Sequence, residues 1–330
     1  MERGRRGSPA SSVMEANTHR PAWKTLLAFA IIYFVWGSTF LAIRVGVRDV
    51  PPLLLAAMRF LAAGVILYGW MVAKGEPSPT RRQWMSVSLL GVLVIAVDYG
   101  LLFWAEQRVP SGIAAVMMAT IPVFTALSEI ILLRTQRLTV RLSIALLIGI
   151  GGVAVLVGRS LHLSGESVDP VGAVALIVAA ISWSVGSVLT RKLPLPSSKA
   201  MSSGTQMLVG GVFLALASAA LGEFRNFHPS SVSRDAWFSL LYLTVAGSII
   251  AFTAYVWLIH HESPTKVGTY AYVNPVVAVL LGFFIGGEAL GLRTILGSLF
   301  VLVSVLIITT TPAKKPAATL PRKEAAEVRS

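Results

Sequence analysis

The chain contains no cysteine, which removes a disulfide framework, a thiolate zinc site and a thiol nucleophile together. Charged side chains are scarce, at 13% of 330 residues, against about 25% in a soluble domain. That supply cannot clothe a water-soluble globule of this size. Patterns that carry chemistry are missing as well. There is no H-E-x-x-H, no G-x-S-x-G and no G-x-x-x-x-G-K-[ST]. A zinc hydrolase, a serine-elbow hydrolase and ATP-driven pumping by this chain alone therefore have no support. All five histidines fall in tails or loops, and the neighbours His260 and His261 do not share a helix face. Neither an enzyme, nor a metal centre, nor a bound cofactor is expected. The formal charge of +13 would suggest nucleic acid in a soluble protein, but no basic face with groove-reading or aromatic elements is present.

What the chain has is apolar length. Hydrophobic residues make up 55% of it and mean hydropathy is +0.74, which excludes disorder, collagen and coiled coil. A helix needs about 20 residues to cross the hydrocarbon core of a bilayer. Uncharged stretches run over 25–43, 109–128, 142–158, 170–190, 200–222, 236–259, 267–287 and 294–313. Two more, 53–73 and 84–104, are each broken by a single charge, Arg59 and Asp98. The sequence predicts an all-α integral membrane protein with ten transmembrane helices. Barrel strands would alternate with period 2 over about 10 residues, whereas 142–158 is apolar on every side. The first stretch exceeds a leader's apolar core and ends without a small-x-small site, so it is read as helix 1. Residues 1–22 and 311–330 are polar and basic and read as disordered tails.

Loop charge orients the spans. With the N-terminus inside, twenty Lys and Arg fall on the cytoplasmic side and seven outside. Both termini are accordingly placed in the cytoplasm, with a bacterial inner membrane as the expected location. The same asymmetry absorbs most of the net charge.

The chain also repeats itself. Residues 36–64 and 183–211 align without a gap at an offset of 147, matching Trp36 with Trp183, Arg44 with Arg191, Arg59 with Gln206 and Gly64 with Gly211. Further on, Pro110 pairs with Pro264 and Pro122 with Pro275. A unit of five helices is odd, so the second copy enters the membrane from the opposite side, as an inverted 5+5 repeat. Inverted repeats mark secondary transporters, which bind substrate between the halves near the midplane. The expected divisions are 23–158 for the first repeat, 159–169 for a linker and 170–310 for the second.

Four segments carry a family resemblance: WGSTFLAIRVG in helix 1, EQRVPSGIAAVMMATIPVFTAL at helix 4, ISWSVGSVLTRKL at helix 6 and SPTKVGTYAYVNPVVAVLLGFFIGGEAL at helix 9. In them the chain resembles the EamA-type transporters of the drug/metabolite transporter superfamily, over residues 24–310, and looks closest to the bacterial YedA-like branch. The resemblance implies two EamA domains, cytoplasmic termini and export of small organic metabolites such as amino acids or drug-like compounds. Asp98 stands where many members have an uncharged residue, so no coupling mechanism is carried over through it. The expectation is a secondary active exporter working by alternating access, with helices 1, 4, 6 and 9 lining the path. The alternatives are a channel or facilitator for small solutes and, more distantly, an intramembrane enzyme. A small-molecule substrate and the lipid bilayer are the expected partners, and protons are the candidate coupling ion. The oligomeric state is not legible.

Each charge inside a bilayer costs about 2.5–3.5 kcal/mol on insertion scales and needs a reason. Arg59 lies six residues inside the start of helix 2, and Asp98 six residues before the end of helix 3. At about 1.5 Å per residue both sit about 9 Å deep. Equal depth and opposite sign predict an ion pair, either lining a vestibule or clamping the helices; Arg59 snorkelling alone is the other option. Glu129 is read as a proton-linked or an interfacial carboxylate, and Glu106 and Glu288 as solvated loop charges. Pro122 and Pro275 should kink helices 4 and 9 and free backbone carbonyls. Tyr270, Tyr272 and Asn274 put hydroxyl and amide groups near mid-membrane, as substrate contacts or as interhelical glue. Trp36 and Trp183, equivalent through the repeat, are chosen as aromatic walls over Trp104 and Tyr99, with Gln206 as a further cavity residue. Small residues at Gly282 and Gly286, and at Ala145, Gly149 and Gly152, predict close helix contact within one chain.

Overall fold

A computed structural model describes residues 22–133, 139–157, 168–261, 267 and 270–309. The expected tails and the linker lie wholly or largely outside the described residues. Among these residues ten apolar helices follow one another: α1 (Trp23–Gly46), α2 (Pro52–Ala73), α3 (Arg81–Ala105), α4 (Ser111–Leu133), α5 (Val140–Val157), α6 (Pro170–Leu189), α7 (Lys199–Ala220), α8 (Arg234–Tyr255), α9 (Tyr270–Phe284) and α10 (Leu292–Thr309). Seven of them are 20 to 25 residues long, enough to cross a membrane; α5, α9 and α10 are shorter. No strand occurs among the described residues. Large apolar side chains face outward as well as inward. Leu147 is 69% exposed and Phe284 75%, a surface suited to lipid and not to water.

Contacts between loops sort them onto two faces. On the near face, where α1 begins, Gln83 Nε2 donates to Leu195 O (3.1 Å), and Arg191 Nη1 meets Glu129 Oε1 (2.5 Å). On the far face, Ser233 N donates to Asp49 Oδ2 (3.0 Å), and Arg108 meets Asp169 (3.8 Å). Every one of these pairs joins segments that an up-and-down path places on the same side.

The repeat is built into the packing, and it is inverted. The most extensive helix contact joins α2 to α7, whose ends share the offset of 147: Pro52 with Lys199 and Ala73 with Ala220. Both are closed by a left-handed glycine, Gly75 (φ 79°) and Gly222 (φ 74°), a conformation that only glycine adopts without strain. A β-carbon on Gly64 would stand 2.7 Å from Leu208 N, and one on Gly211 2.9 Å from Leu61 N. Leu61 and Leu208 are themselves equivalent at 147, so the contact is its own image. α2 and α7 run antiparallel, since Leu54 near the start of α2 meets Glu223 beyond the end of α7, while Met71 meets Ser198. Equivalent helices that cross antiparallel at their own images are related by a two-fold axis in the membrane plane. α5 and α10 repeat the device at an offset of 152, with Gly149 on Ser304 and Gly152 on Val301. The small residues of α5 thus serve contact within one chain, as their spacing suggested.

Glu223 ties the halves together at the far face. α2 begins Pro51-Pro52, so Leu53 and Leu54 carry its first backbone donors. The Glu223 carboxylate accepts from Leu54 N (2.8 Å), Leu53 N (3.4 Å) and Ser218 Oγ (2.8 Å). Negative charge at a helix N-terminus is stabilising. Glu223→Ala should lower stability by about 1–2 kcal/mol, and Glu223→Gln by less, measured by thermal unfolding in nanodiscs.

Candidate functional site

Among the described residues, four stretches are wound as π-helix: Ile31–Val35 in α1, Gly91–Val97 in α3, Glu129–Leu133 in α4 and Leu243–Ile250 in α8. A π turn widens the helix, leaves carbonyls poorly paired and often marks a functional site. Each stretch here is met by a donor from another helix or its flanking turn. Ser182 Oγ donates to Leu93 O (2.8 Å), Trp36 Nε1 to Gly247 O (3.1 Å) and Lys192 Nζ to Leu132 O (2.6 Å). The Asn274 amide, turned with its nitrogen inward, donates to Tyr33 O (3.1 Å). The α3 and α8 stretches are images of each other through the repeat, and so nearly are their donors, Ser182 and Trp36. Pro122 opens a fifth gap. α4 turns at Ala119–Thr120 and restarts at Ile121, and Ser184 Oγ lies 3.0 Å from Ile121 O.

Aromatic rings gather along this seam in two groups. Trp36 of α1 lies 5.1 Å from Tyr255 and 5.2 Å from Tyr270, and those two tyrosines are 6.0 Å apart. Tyr99 of α3 lies 4.7 Å from Phe60, 6.4 Å from Phe103 and 6.1 Å from Trp183 of α6. Tyr99 and Tyr270 are within electrostatic range of one another, which links the groups. The pairings follow the repeat: α1 meets α8 through Trp36, and α6 meets α3 through Trp183. The side chains come from α1, α2, α3, α6, α8 and α9. α4, expected to line the path, contributes its proline break to α6 instead.

Arg59 breaks the symmetry. It is 2% exposed, and Nε donates to Ser248 Oγ (2.9 Å). Its Cζ stands 4.8 Å from the Phe60 ring, 5.2 Å from Tyr99 and 5.9 Å from Phe103. Gly247 makes the room: a β-carbon there would sit 3.3 Å from Arg59 Nη2. Nη1 has no hydrogen-bond partner. Gln206, the equivalent residue in α7, donates only to Ser202 Oγ of its own helix (3.0 Å).

The ion pair expected between Arg59 and Asp98 is not formed. Asp98 is 1% exposed and its Oδ1 meets no donor. Depth along an axis fixes height but not heading. Asp98 directly follows the π stretch of α3, whose wider turns rotate it off the heading of a regular helix, and Tyr99 is turned toward Arg59 instead. Glu129 is held by Arg191, whose side chain is largely exposed. Pro275 lies inside α9. The side chain of Tyr272 lies outside the described residues. Trp104, set aside in favour of Trp36 and Trp183, is covered by Arg108 at 3.9 Å. Among the described residues, no group of three His, Asp or Glu side chains is placed to hold a metal.

Two acids at the far face also differ from expectation. Glu106 is fully buried, and Glu288 binds the amides of Ser111 (2.6 Å) and Gly112 (3.0 Å) at the start of α4. Position at a helix edge suggested solvation. The missed signal was Gly282, in the last turns of α9, which must admit the acid six residues on: a β-carbon there would stand 2.9 Å from Glu288 Cδ.

A family model described as the EamA-like transporter family matches residues 23–158 and again 170–310. The chain is 39% identical over 284 residues to an uncharacterized inner membrane transporter, YedA, of Escherichia coli K12, covering 86% of this chain and 89% of that one. It is 29% identical over 276 residues to protein PecM of Dickeya dadantii, covering 83% and 88%. An uncharacterized transporter of Archaeoglobus fulgidus is 25% identical over 290 residues, covering 87% and 97%. A solved crystal structure of a protein at 21% identity superposes with a TM-score of 0.57, over 90% of this chain and all of the other. That last likeness speaks to fold alone.

Proposed function

The chain belongs to the EamA-like transporter family, and from that premise we propose that it is a secondary carrier for a small organic solute bearing a carboxylate or a comparable anionic group. It is a multi-pass membrane protein of a transporter family. The single observation that carries the substrate class is Arg59. Its guanidinium is buried among rings, meets no carboxylate within ion-pair distance, and keeps Nη1 without a partner. A cation left so inside a bilayer is costly and calls for an anion that arrives from outside the fold. A guanidinium fork suits a carboxylate. Trp36, Tyr255, Tyr270, Tyr99 and Trp183 would wall the remainder of the solute, favouring an apolar or aromatic body.

Alternating access follows from two halves that are inverted images about an in-plane axis. Loop charge supports the near face as cytoplasmic, which puts Arg59 nearer the outer side and fits an exporter in a bacterial inner membrane. The two matched segments, 23–158 and 170–310, are the units that would rock.

A matched probe set tests the substrate class. The purified protein in nanodiscs would be melted with phenylalanine, phenylpropionate and phenethylamine, and each probe then assayed for counterflow in proteoliposomes. Phenylpropionate and phenylalanine should stabilise, and counterflow should saturate. Stabilisation by phenethylamine alone would refute Arg59 as the anchor. Non-saturating flux would replace the carrier by a channel.

A further inference from the structure

The far face carries a buried acid that the aromatic site does not use. Glu106 directly follows α3, is fully buried, and neither carboxyl oxygen meets a donor. Three elements surround it. From the end of α1, Arg44 places Nη1 on the Glu106 backbone carbonyl rather than on the carboxyl. From the loop between α9 and α10, Glu288 binds the first amides of α4. From α4 itself comes Ser111, whose amide binds Glu288 and whose hydroxyl is buried without a partner. Arg44 and Glu288 are the charges that act on Glu106. Both Glu288 oxygens are taken up by the two amide donors at the positive end of α4. A second carboxylate beside it meets no hydrogen-bond donor, and Arg44 is turned to the backbone carbonyl. Burial pushes the Glu106 carboxyl well above the usual carboxylate range, Glu288 pushes the same way, and Arg44 opposes both.

We propose that Glu106 is a proton-binding site that locks the far end of the transport path. Protonated, it lets the corner between α3 and α4 rest against the Glu288 loop. Deprotonated, it repels Glu288, because two carboxylates cannot share one site as anions, and the seam between α4 and α9 parts. The proton exchanges with water by way of the small recess beside Glu288, about 10 Å³ and so of the size of one water, lined by Gly112, Ile113, Phe283 and Thr294. Only the carboxyl O–H bond forms and breaks. Protons entering from outside would close that end, the order that export by exchange with protons requires. This coupling role rests on the carrier reading; the lock itself can be tested without any substrate.

The test uses the full chain in nanodiscs and exploits the absence of native thiols. Glu106→Gln copies the protonated form. A raised native-state pKa contributes stability that is full at acid pH and is lost as pH rises through it. Wild-type melting temperature should therefore fall as pH rises above the ordinary carboxylate range, and Glu106→Gln should stay flat at the acid value. Ile113→Cys, 3% exposed in the native chain, reports opening of the seam. Its maleimide labelling should rise by roughly tenfold from acid to alkaline pH relative to the same cysteine in the Glu106→Gln chain, the change given by one pKa unit of coupling. Should Glu106→Gln fail to fold, Glu288→Gln leaves Glu106 titratable without its negative neighbour, and the melting transition should move to lower pH. An unchanged pH profile in Glu106→Gln overturns the lock. So does a transition that follows sodium rather than pH, which would make the pair a cation site. If the probe set fails while the profile flattens, the lock stands and the assignment of Arg59 falls.

Discussion

Arg59→Met should make the protein more stable and nearly inactive. A cation in the span costs about 2.5–3.5 kcal/mol on insertion scales. One hydroxyl and three ring faces return part of that, at about 0.5–2 kcal/mol for a cation over a ring, and Nη1 returns nothing. Methionine fills much of the same volume without the charge. A gain of about 1–3 kcal/mol in thermal unfolding is expected, in line with replacing buried ionic groups by packed apolar ones. Transport should fall in the opposite direction. Removing one partner of a desolvated charge contact costs about 2–5 kcal/mol, roughly 30-fold to several-thousand-fold in apparent affinity, read by phenylpropionate counterflow. Arg59→Lys keeps the charge but neither the fork nor the flat face, and should fall between. The sign of the stability change separates two roles. A clamp between helices loses stability and transport together, whereas a site held ready for an absent anion gains one and loses the other.

The spans and the repeat were legible because hydrocarbon imposes length and dryness on every helix, and because Trp36, Gly64 and Gly75 recur as Trp183, Gly211 and Gly222. The ends of α2 and α7 fall where that offset puts them. The heading of a side chain around its helix was less legible. Arg59 and Asp98 share a depth and do not meet, since the π stretch between Gly91 and Val97 carries no residue signature that distinguishes it from regular apolar helix. Tyr99 and Ser248 became neighbours of Arg59 by the same rotations. Glu106 looked solvated because sequence gives distance from the end of a span, not what lies on top of it. Its cover is the Glu288 loop, 182 positions away in the chain.

The π stretches explain how one seam can be both sealed and movable. A carbonyl released by a wide turn must find a donor in a dry interior. Here each donor is a single side-chain group from elsewhere in the chain: Ser182, Trp36, Asn274 or Lys192. One bond is strong enough to fix a register and weak enough to exchange, at about 0.5–1.5 kcal/mol net. The contacts of Gly64 and Gly149 are of another kind: one helix backbone lies directly on the neighbouring helix, on backbone atoms at Gly64 and on Ser304 at Gly149, with no spare volume. The seam of single bonds is where rearrangement is cheap; the glycine crossings are where it is not.

That difference predicts opposite signs for one substitution made five residues apart. Gly69 has nothing within 4 Å of where its β-carbon would stand, so Gly69→Ala should add up to about 1 kcal/mol through helix propensity alone. Gly64→Ala drives a methyl to 2.7 Å from Leu208 N and 3.1 Å from Gly204 O. Backbone cannot swing aside as a rotamer can, so α2 and α7 must separate, at about 1–3 kcal/mol. Gly211→Ala meets Leu61 at 2.9 Å and should cost about the same by symmetry. The double variant carries the sharper expectation. The two contacts lie at one crossing, and helices already parted by the first methyl have room for the second. The combined loss should fall short of the sum by about 0.5 kcal/mol or more, measured by thermal unfolding of all four chains in nanodiscs. Strict additivity would mean that the two glycines meet α2 and α7 independently, and a shared in-plane axis at that crossing would then have no energetic content.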